Sequence, residues 1–218
     1  MIQAQIKSVH SSVEQICRTN GIGQSVRLVV VTKNQPPEAL RVLADCHVTD
    51  VAENRVQALA ARYDLLPGTK HLIGHLQTNK VRTAVRFADL IQSVDSVHLA
   101  EELAHCCRMA QMRQDILVQV NIAREETKYG IFLEHLPELL SRIGQLPELR
   151  VLGLMAIMPV DTREDYYRKM YELYCNLSET VSDENICMKY LSMGMSKDFP
   201  LAVQYGANMI RVGSYIFQ

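Results

Sequence analysis

The sequence has no excess of either charge: across 218 residues, 23 lysines and arginines face 24 aspartates and glutamates, a formal net charge of -1. With no long-range field of one sign, neither nucleic acid nor an anionic membrane surface is expected as a partner, and a small ligand is left. Long apolar runs are missing too. The longest, at 28–31 and 151–158, fall well short of the roughly 20 residues that span a bilayer. Residues 1–8 alternate polar and apolar side chains and lack the continuous apolar core of a secretory signal, so the expected location is the cytoplasm. No CxxC pair occurs among the six cysteines at 17, 46, 106, 107, 175 and 187. That spacing disfavours a metal or disulfide framework, and such residues are expected as small buried hydrophobes. After the first apolar run, Val31-Thr32-Lys33-Asn34-Gln35-Pro36 offers no GxGxxG loop, which argues against dinucleotide binding. No repeat, low-complexity stretch or linker divides the chain, and its length suits a single domain spanning 1–218.

What is present is alternation. Ile2, Ile6, Val9, Val13 and Ile16 form one apolar helical stripe, stopped by Gly21 and Gly23, which predicts a leading helix. Short β-branched runs then recur at 27–33, 50–54, 71–76, 90–95, 116–122, 151–158, 190–194 and 209–217. Between them lie segments of helical spacing at 37–46, 56–65, 79–87, 97–112, 133–146, 164–181 and 199–205. Strand and helix alternating through the chain predict parallel strands with right-handed crossovers, and eight such units close a barrel. The expected fold is α/β, a single (β/α)8 TIM barrel with an extra N-terminal helix; an open doubly wound sheet is the rival.

In such a barrel the site is built at the carboxyl ends of the strands. Lys33 follows Leu28-Val29-Val30-Val31-Thr32 directly. Partial desolvation above that apolar strand is expected to favour the neutral amine, a nucleophile toward an aldehyde; the plainer reading is a strand-end lysine reaching for solvent. In the last unit, the backbone at Gly213 and Ser214 with the Ser214 hydroxyl offers donors for a phosphate, and Ser196 precedes a helix start in the loop before. Each taken singly also reads as an ordinary turn or cap. Arg211 lies either in the barrel interior or on the outer face against a helix carboxylate. Asn54 either donates to a ligand or caps the next helix. His71 and His75 are four apart, but Leu72 stands where HExxH has its glutamate, so core or loop histidines are expected and a zinc hydrolase is not. Met155, Met158, Met193 and Met195 are core side chains that could also border a flat ring.

Together these residues resemble a known family. The set Val30-Val31-Thr32-Lys33, Glu53-Asn54, Ile73-Gly74-His75-Leu76-Gln77-Thr78-Asn79-Lys80, Gly153-Leu154-Met155-Ala156, Leu191-Ser192-Met193-Gly194-Met195-Ser196 and Arg211-Val212-Gly213-Ser214 is similar to the pyridoxal phosphate homeostasis proteins, in order along nearly the whole chain. The resemblance implies a barrel like the N-terminal domain of alanine racemase, with pyridoxal 5′-phosphate (PLP) as a Schiff base on Lys33. It further implies a pyridine nitrogen facing Arg211 and a phosphate near Ser196, Gly213 and Ser214; Asn54 and Met155, candidates from their own positions, are expected to bind the cofactor with them. Two departures stand out. Val51-Ala52 replaces the usual Phe-Gly before Glu53-Asn54, and Gln35 stands where a second lysine commonly follows, which removes a nearby amine that would act on cofactor release.

Two functions compete on this resemblance: a protein that holds PLP and buffers its supply to PLP-dependent apo-enzymes, and a racemase-like enzyme. Racemisation needs an acid or base on each face of the cofactor, and racemases of this type take the second from a separate β domain, for which the expected barrel leaves no residues. An arginine opposite the pyridine nitrogen also weakens the ring as an electron sink. The expectation is therefore a cytoplasmic, monomeric PLP-binding homeostasis protein without strong catalytic activity. A lysine aldolase without cofactor is a third reading, separable by its lack of visible absorbance.

Overall fold

The computed structural model describes residues 1–159 and 164–218. Eight parallel strands, β1 (Arg27–Val31), β2 (Asp50–Glu53), β3 (Thr69–Leu72), β4 (Leu90–Val94), β5 (Gln114–Gln119), β6 (Leu149–Met155), β7 (Ile186–Ser192) and β8 (Met209–Val212), close into a barrel in sequence order. β8 pairs back onto β1, with Val29 beside Arg211 and Val30 beside Val212. The leading helix α1 (Ile2–Thr19) buries Ile6, Val9 and Val13, and lies beside α2 (Pro37–Asp45) and α8 (Phe199–Gln204). The remaining crossovers are α3 (Val56–Arg62), α4 (Val81–Phe87), α5 (Val97–Met109), α6 (Leu136–Gly144) and α7 (Glu164–Thr180). This is the (β/α)8 barrel with one extra helix that the alternation predicts. Among the described residues, no helix is long and apolar enough to cross a membrane.

The strands read as unbroken apolar runs because both faces are covered. One face, including Val30, Val51, Leu72, Ile91, Ile116, Leu154 and Ile210, joins the helices in the larger core. The other fills the barrel with Val29, Val31, Ala52, Leu90, Leu117, Met155 and Met209. Burying one such side chain contributes roughly 1.5–3 kcal/mol, so the layer between strands and helices dominates stability. β6 carries a register shift against β7 around Gly153, whose φ is +137°. A β-carbon there would lie 1.9 Å from the Tyr190 carbonyl oxygen, so this bulge admits only glycine.

The strand ends differ from expectation in one consistent way. The predicted runs 27–33, 71–76, 151–158 and 209–217 extend past the barrel into its mouth, where the ladder has stopped but apolar residues continue to pack. β7, conversely, starts at Ile186, four residues earlier than expected, because its first half alternates with exposed Cys187 and Lys189. The cysteine expectation needs correction: only Cys107 is buried, four of the six are half-buried and Cys187 is exposed. Most sit at helix flanks or strand starts that the barrel turns outward. All six are free thiols.

Candidate functional site

The carboxyl ends of β6, β7, β8 and β1 bring most of the candidates together. Arg211 lies on the inward side of β8, two residues after Met209, which resolves its position: it is 3% exposed and faces the interior. Its Nη1 donates to Ser192 Oγ at 2.6 Å and its Nη2 to the Ala156 carbonyl at 2.8 Å, just beyond Met155 at the end of β6. Burial pulls its pKa down to about 10, against a smaller opposing effect of the Asp198 charge, so it remains a cation at neutral pH. Among the described residues no carboxylate touches it.

β7 and β8 share one register pair, Ser192 with Met209. The ladder continues through Met193 N–H to the Met209 carbonyl and Arg211 N–H to the Gly194 carbonyl, then the strands part. Past that point the Ser196 hydroxyl oxygen accepts the N–H groups of Gly213 (3.2 Å) and Tyr215 (3.3 Å). The loop carrying Ser196 is fixed by Asp198, which accepts from Met195 N–H at 2.7 Å and from the buried Tyr167 hydroxyl at 2.6 Å. Ser214 is exposed between the two N–H donors. Gly213 has a packing reason as well as a ligand reason: a β-carbon would sit 2.8 Å from the Val31 carbonyl oxygen. That contact places the Gly213 loop against the end of β1, where Lys33 follows.

Lys33 requires a correction. β1 ends at Val31, and residues 32–35 turn, with Gln35 N–H bonded to the Thr32 carbonyl and Asn34 at φ +62°. Lys33 therefore stands exposed at the mouth, and the partial desolvation expected from the apolar strand beneath it is not found. It continues the inward parity of Val29 and Val31. The turn is anchored from below. Thr32 donates through Oγ1 to the Ala52 carbonyl (3.1 Å) and Glu53 Oε1 (2.9 Å), while Arg62 Nη1 bonds both Glu53 Oε1 (3.1 Å) and the Thr32 carbonyl (3.3 Å).

Asn54, at the end of β2 on the other side of Lys33, is exposed and does not cap α3, whose N-cap is Arg55 with no side-chain bond. Its backbone instead abuts Gly74, where a β-carbon would come within 2.0 Å of the Asn54 carbonyl oxygen. His71 is a core histidine, fully buried against Asp50 and Gln92, whereas His75 is a mouth residue stacked on Tyr129 at 3.7 Å. Met155, Met158 and Met193 are core; Met195 is 38% exposed. Sequence reasoning missed the Tyr215 N–H, the Asp198–Tyr167 brace and the Glu53–Arg62–Thr32 clamp. It also missed buried Asp50, Gln92 and Ser192, whose signal was a polar residue inside an otherwise apolar strand.

The residues fit an anionic, aldehyde-bearing heterocycle. Two backbone N–H groups already converge on one oxygen, a buried cation with no carboxylate in contact among the described residues lies two residues before Gly213, and an exposed lysine follows the adjacent strand end.

Residues 8–218 match the family model of the alanine racemase N-terminal domain. A pyridoxal phosphate homeostasis protein from Aquifex aeolicus is 36% identical over 221 residues, covering 98% of this chain and 96% of that protein. Another from Haemophilus influenzae is 32% identical, covering 99% of this chain and 94% of that one. Among solved structures, PipY of Synechococcus elongatus PCC7942 with PLP bound superposes with a TM-score of 0.83, is 32% identical, and covers all of both chains. D-threonine aldolase from Filomicrobium marinum shares the fold alone, at a TM-score of 0.80 and 16% identity over 60% of its chain. The chain belongs to the alanine racemase N-terminal domain family, among its pyridoxal phosphate homeostasis proteins.

Proposed function

We propose that this protein binds PLP reversibly through Lys33 and acts in PLP homeostasis, holding and delivering the cofactor rather than using it for turnover. The observation that carries the reading is the convergence of the Gly213 and Tyr215 N–H groups on Ser196 Oγ, just past Arg211 along β8 and against the end of β1 that leads into the Lys33 turn. The PLP bound in the PipY structure and the names of the relatives support it.

When bound, PLP supplies an aldehyde for a lysine amine and a ring able to accept electron density. Lys33 would supply the amine, in an exposed turn that favours exchange over burial. Ser196, Gly213, Ser214 and the Tyr215 N–H would hold the phosphate, and Asn54 and Met155 would border the site. Arg211, a donor without an acceptor site, would meet the ring nitrogen and keep a proton off it. That restrains carbanion chemistry, which is why we read a carrier rather than a catalyst. The same reading makes PLP-dependent apo-enzymes of the cytoplasm the recipients and the chain a monomer in one domain.

The test is the absorbance of purified protein with PLP, before and after borohydride, followed by peptide mapping. The expected result is a visible band that reduction fixes onto the Lys33 peptide and that Lys33→Ala abolishes. A full-occupancy adduct in Lys33→Ala overturns the lysine assignment, and Lys33-dependent turnover of an amino acid would make the protein an enzyme. A sedimentation mass other than about that of one 24.7 kDa chain rejects the monomer.

A further inference from the structure

Four buried polar side chains lie on the inward faces of four strands, and only the last touches a proposed site residue: Asp50 on β2, His71 on β3, Gln92 on β4 and Ser192 on β7. They form one continuous chain across the barrel. Arg211 Nη1 meets Ser192 Oγ at 2.6 Å, Ser192 Oγ meets Gln92 Oε1 at 2.7 Å, Gln92 Nε2 meets His71 Nδ1 at 2.8 Å, and His71 Nε2 meets Asp50 Oδ1 at 3.0 Å.

Elementary donor counting gives this chain one direction. A guanidinium can only donate, so Ser192 Oγ accepts from Arg211 and its single proton goes to Gln92 Oε1. The Gln92 amide then turns its NH2 toward His71, whose Nδ1 must present a lone pair. The ring proton sits on Nε2 and is donated to Asp50. With a neutral imidazole the reversed chain fails at its far end, where an unprotonated Nε2 would face a carboxylate. Asp50 is held ionised there: Thr49 and Arg27 also donate to it, each at 2.8 Å. Every dipole therefore points its negative end toward Arg211, and aligned bonds in a dry interior strengthen one another.

We propose that Asp50, His71, Gln92 and Ser192 are positioning residues for Arg211, a one-way chain that couples the buried guanidinium to a carboxylate at the opposite end of the barrel and fixes its donation toward the mouth. The inference rests on the reading of Arg211 as the partner of the PLP ring nitrogen. It helps explain how a buried cation is tolerated with no carboxylate in contact among the described residues: besides the Asp198 charge, which acts without touching it, counter-charge is delivered through three neutral side chains, so no acid need sit against the guanidinium where the ring nitrogen would meet it.

Two measurements test it. In the PLP-free protein, 15N NMR of the histidine rings should show His71 as the Nε2–H tautomer; an Nδ1–H tautomer overturns the chain's direction. Gln92→Leu cuts the chain at a residue that touches neither Arg211 nor the mouth. Folded Gln92→Leu should retain PLP about tenfold more weakly, the equivalent of about 1.4 kcal/mol. Its bound chromophore should also gain a pH-dependent absorbance maximum that the wild type lacks, a change that a purely structural role would not produce. Gln92→Met serves if leucine prevents folding. Wild-type affinity and a pH-independent band in either folded variant overturn the proposal while leaving PLP binding intact. Absence of any wild-type adduct would instead refute the binding reading, and the His71 tautomer then decides the chain on its own.

Discussion

Replacing Arg62 by methionine should destabilise the protein through a residue it leaves behind. The Glu53 carboxylate is 1% exposed; its Oε1 is shared by Thr32 and Arg62, and its Oε2 has no hydrogen-bond partner among the described residues. Without Arg62, a buried negative charge keeps only one neutral hydroxyl. Breaking a buried pair by removing one partner costs about 3–5 kcal/mol, and Arg62, 27% exposed, belongs at the lower end, about 3 kcal/mol. For a chain of this length each kcal/mol moves the melting temperature by roughly 2–4 °C, so Arg62→Met should melt about 6–12 °C below wild type by circular dichroism. Glu53→Gln/Arg62→Met removes the stranded charge and should recover more than half of that loss, the sign that separates charge from packing. A single variant within 2 °C of wild type, or a double variant no more stable than the single, would refute the argument. Because Arg62 also holds the Thr32 carbonyl, the same loss should loosen the turn bearing Lys33.

Gly153→Ala places a β-carbon on the Tyr190 carbonyl at a φ that L-residues avoid, and should cost about 3 kcal/mol or more, seen as a lower denaturant midpoint. Asp50 would be raised by burial, but the His71 and Thr49 hydrogen bonds and the Arg27 charge hold it below its ordinary 3.8. Its contribution is therefore complete above pH 3.8 and lost as pH falls through the depressed value, so the stability gap between wild type and Asp50→Asn in urea should shrink below about pH 4. Burial, with Cys106 and Glu148 nearby, pushes the Cys107 thiol up to about 11, so iodoacetamide at pH 8 should label exposed Cys187 well before Cys107 by peptide mass mapping; the reverse order would contradict the burial assigned here.

The barrel was legible because its strands announce themselves chemically: Leu28-Val29-Val30-Val31 and Val151 through Met155 are β-branched or apolar on both faces. Their ends were not legible, since the hydrophobic pattern reports burial and says nothing of where a ladder stops. Tyr215, Ile216 and Phe217 lie beyond the end of β8 and pack against the core between strands and helices, so in sequence they look the same as strand residues. Of the proposed site residues, Ser196 and Gly213 were picked out by their place after a strand, whereas Arg211, inside β8, read equally as an interior or an outer-face side chain until the structure turned it inward. The clamp on Lys33 was not legible, because Arg62 and Thr32 meet only when α3 folds back onto β1. The Arg211 to Asp50 chain joins residues up to 161 apart, and no local pattern connects them.

The parting of β7 and β8 has a consequence for exchange at the mouth. Up to Arg211 and Gly194 the rungs are backbone to backbone; the next rung, to the Gly213 N–H, ends on the Ser196 hydroxyl. A backbone carbonyl can leave a rung only if its strand moves, but the hydroxyl of half-buried Ser196 leaves by one rotation about χ1, a side-chain motion far faster than any strand shift. The last rung of this barrel is therefore replaceable: an incoming oxygen can take the place of the serine without any strand shifting, and the serine can return when that oxygen departs. Loading and unloading at this corner would then be limited by the visiting molecule's own bonds and leave the barrel's architecture at rest.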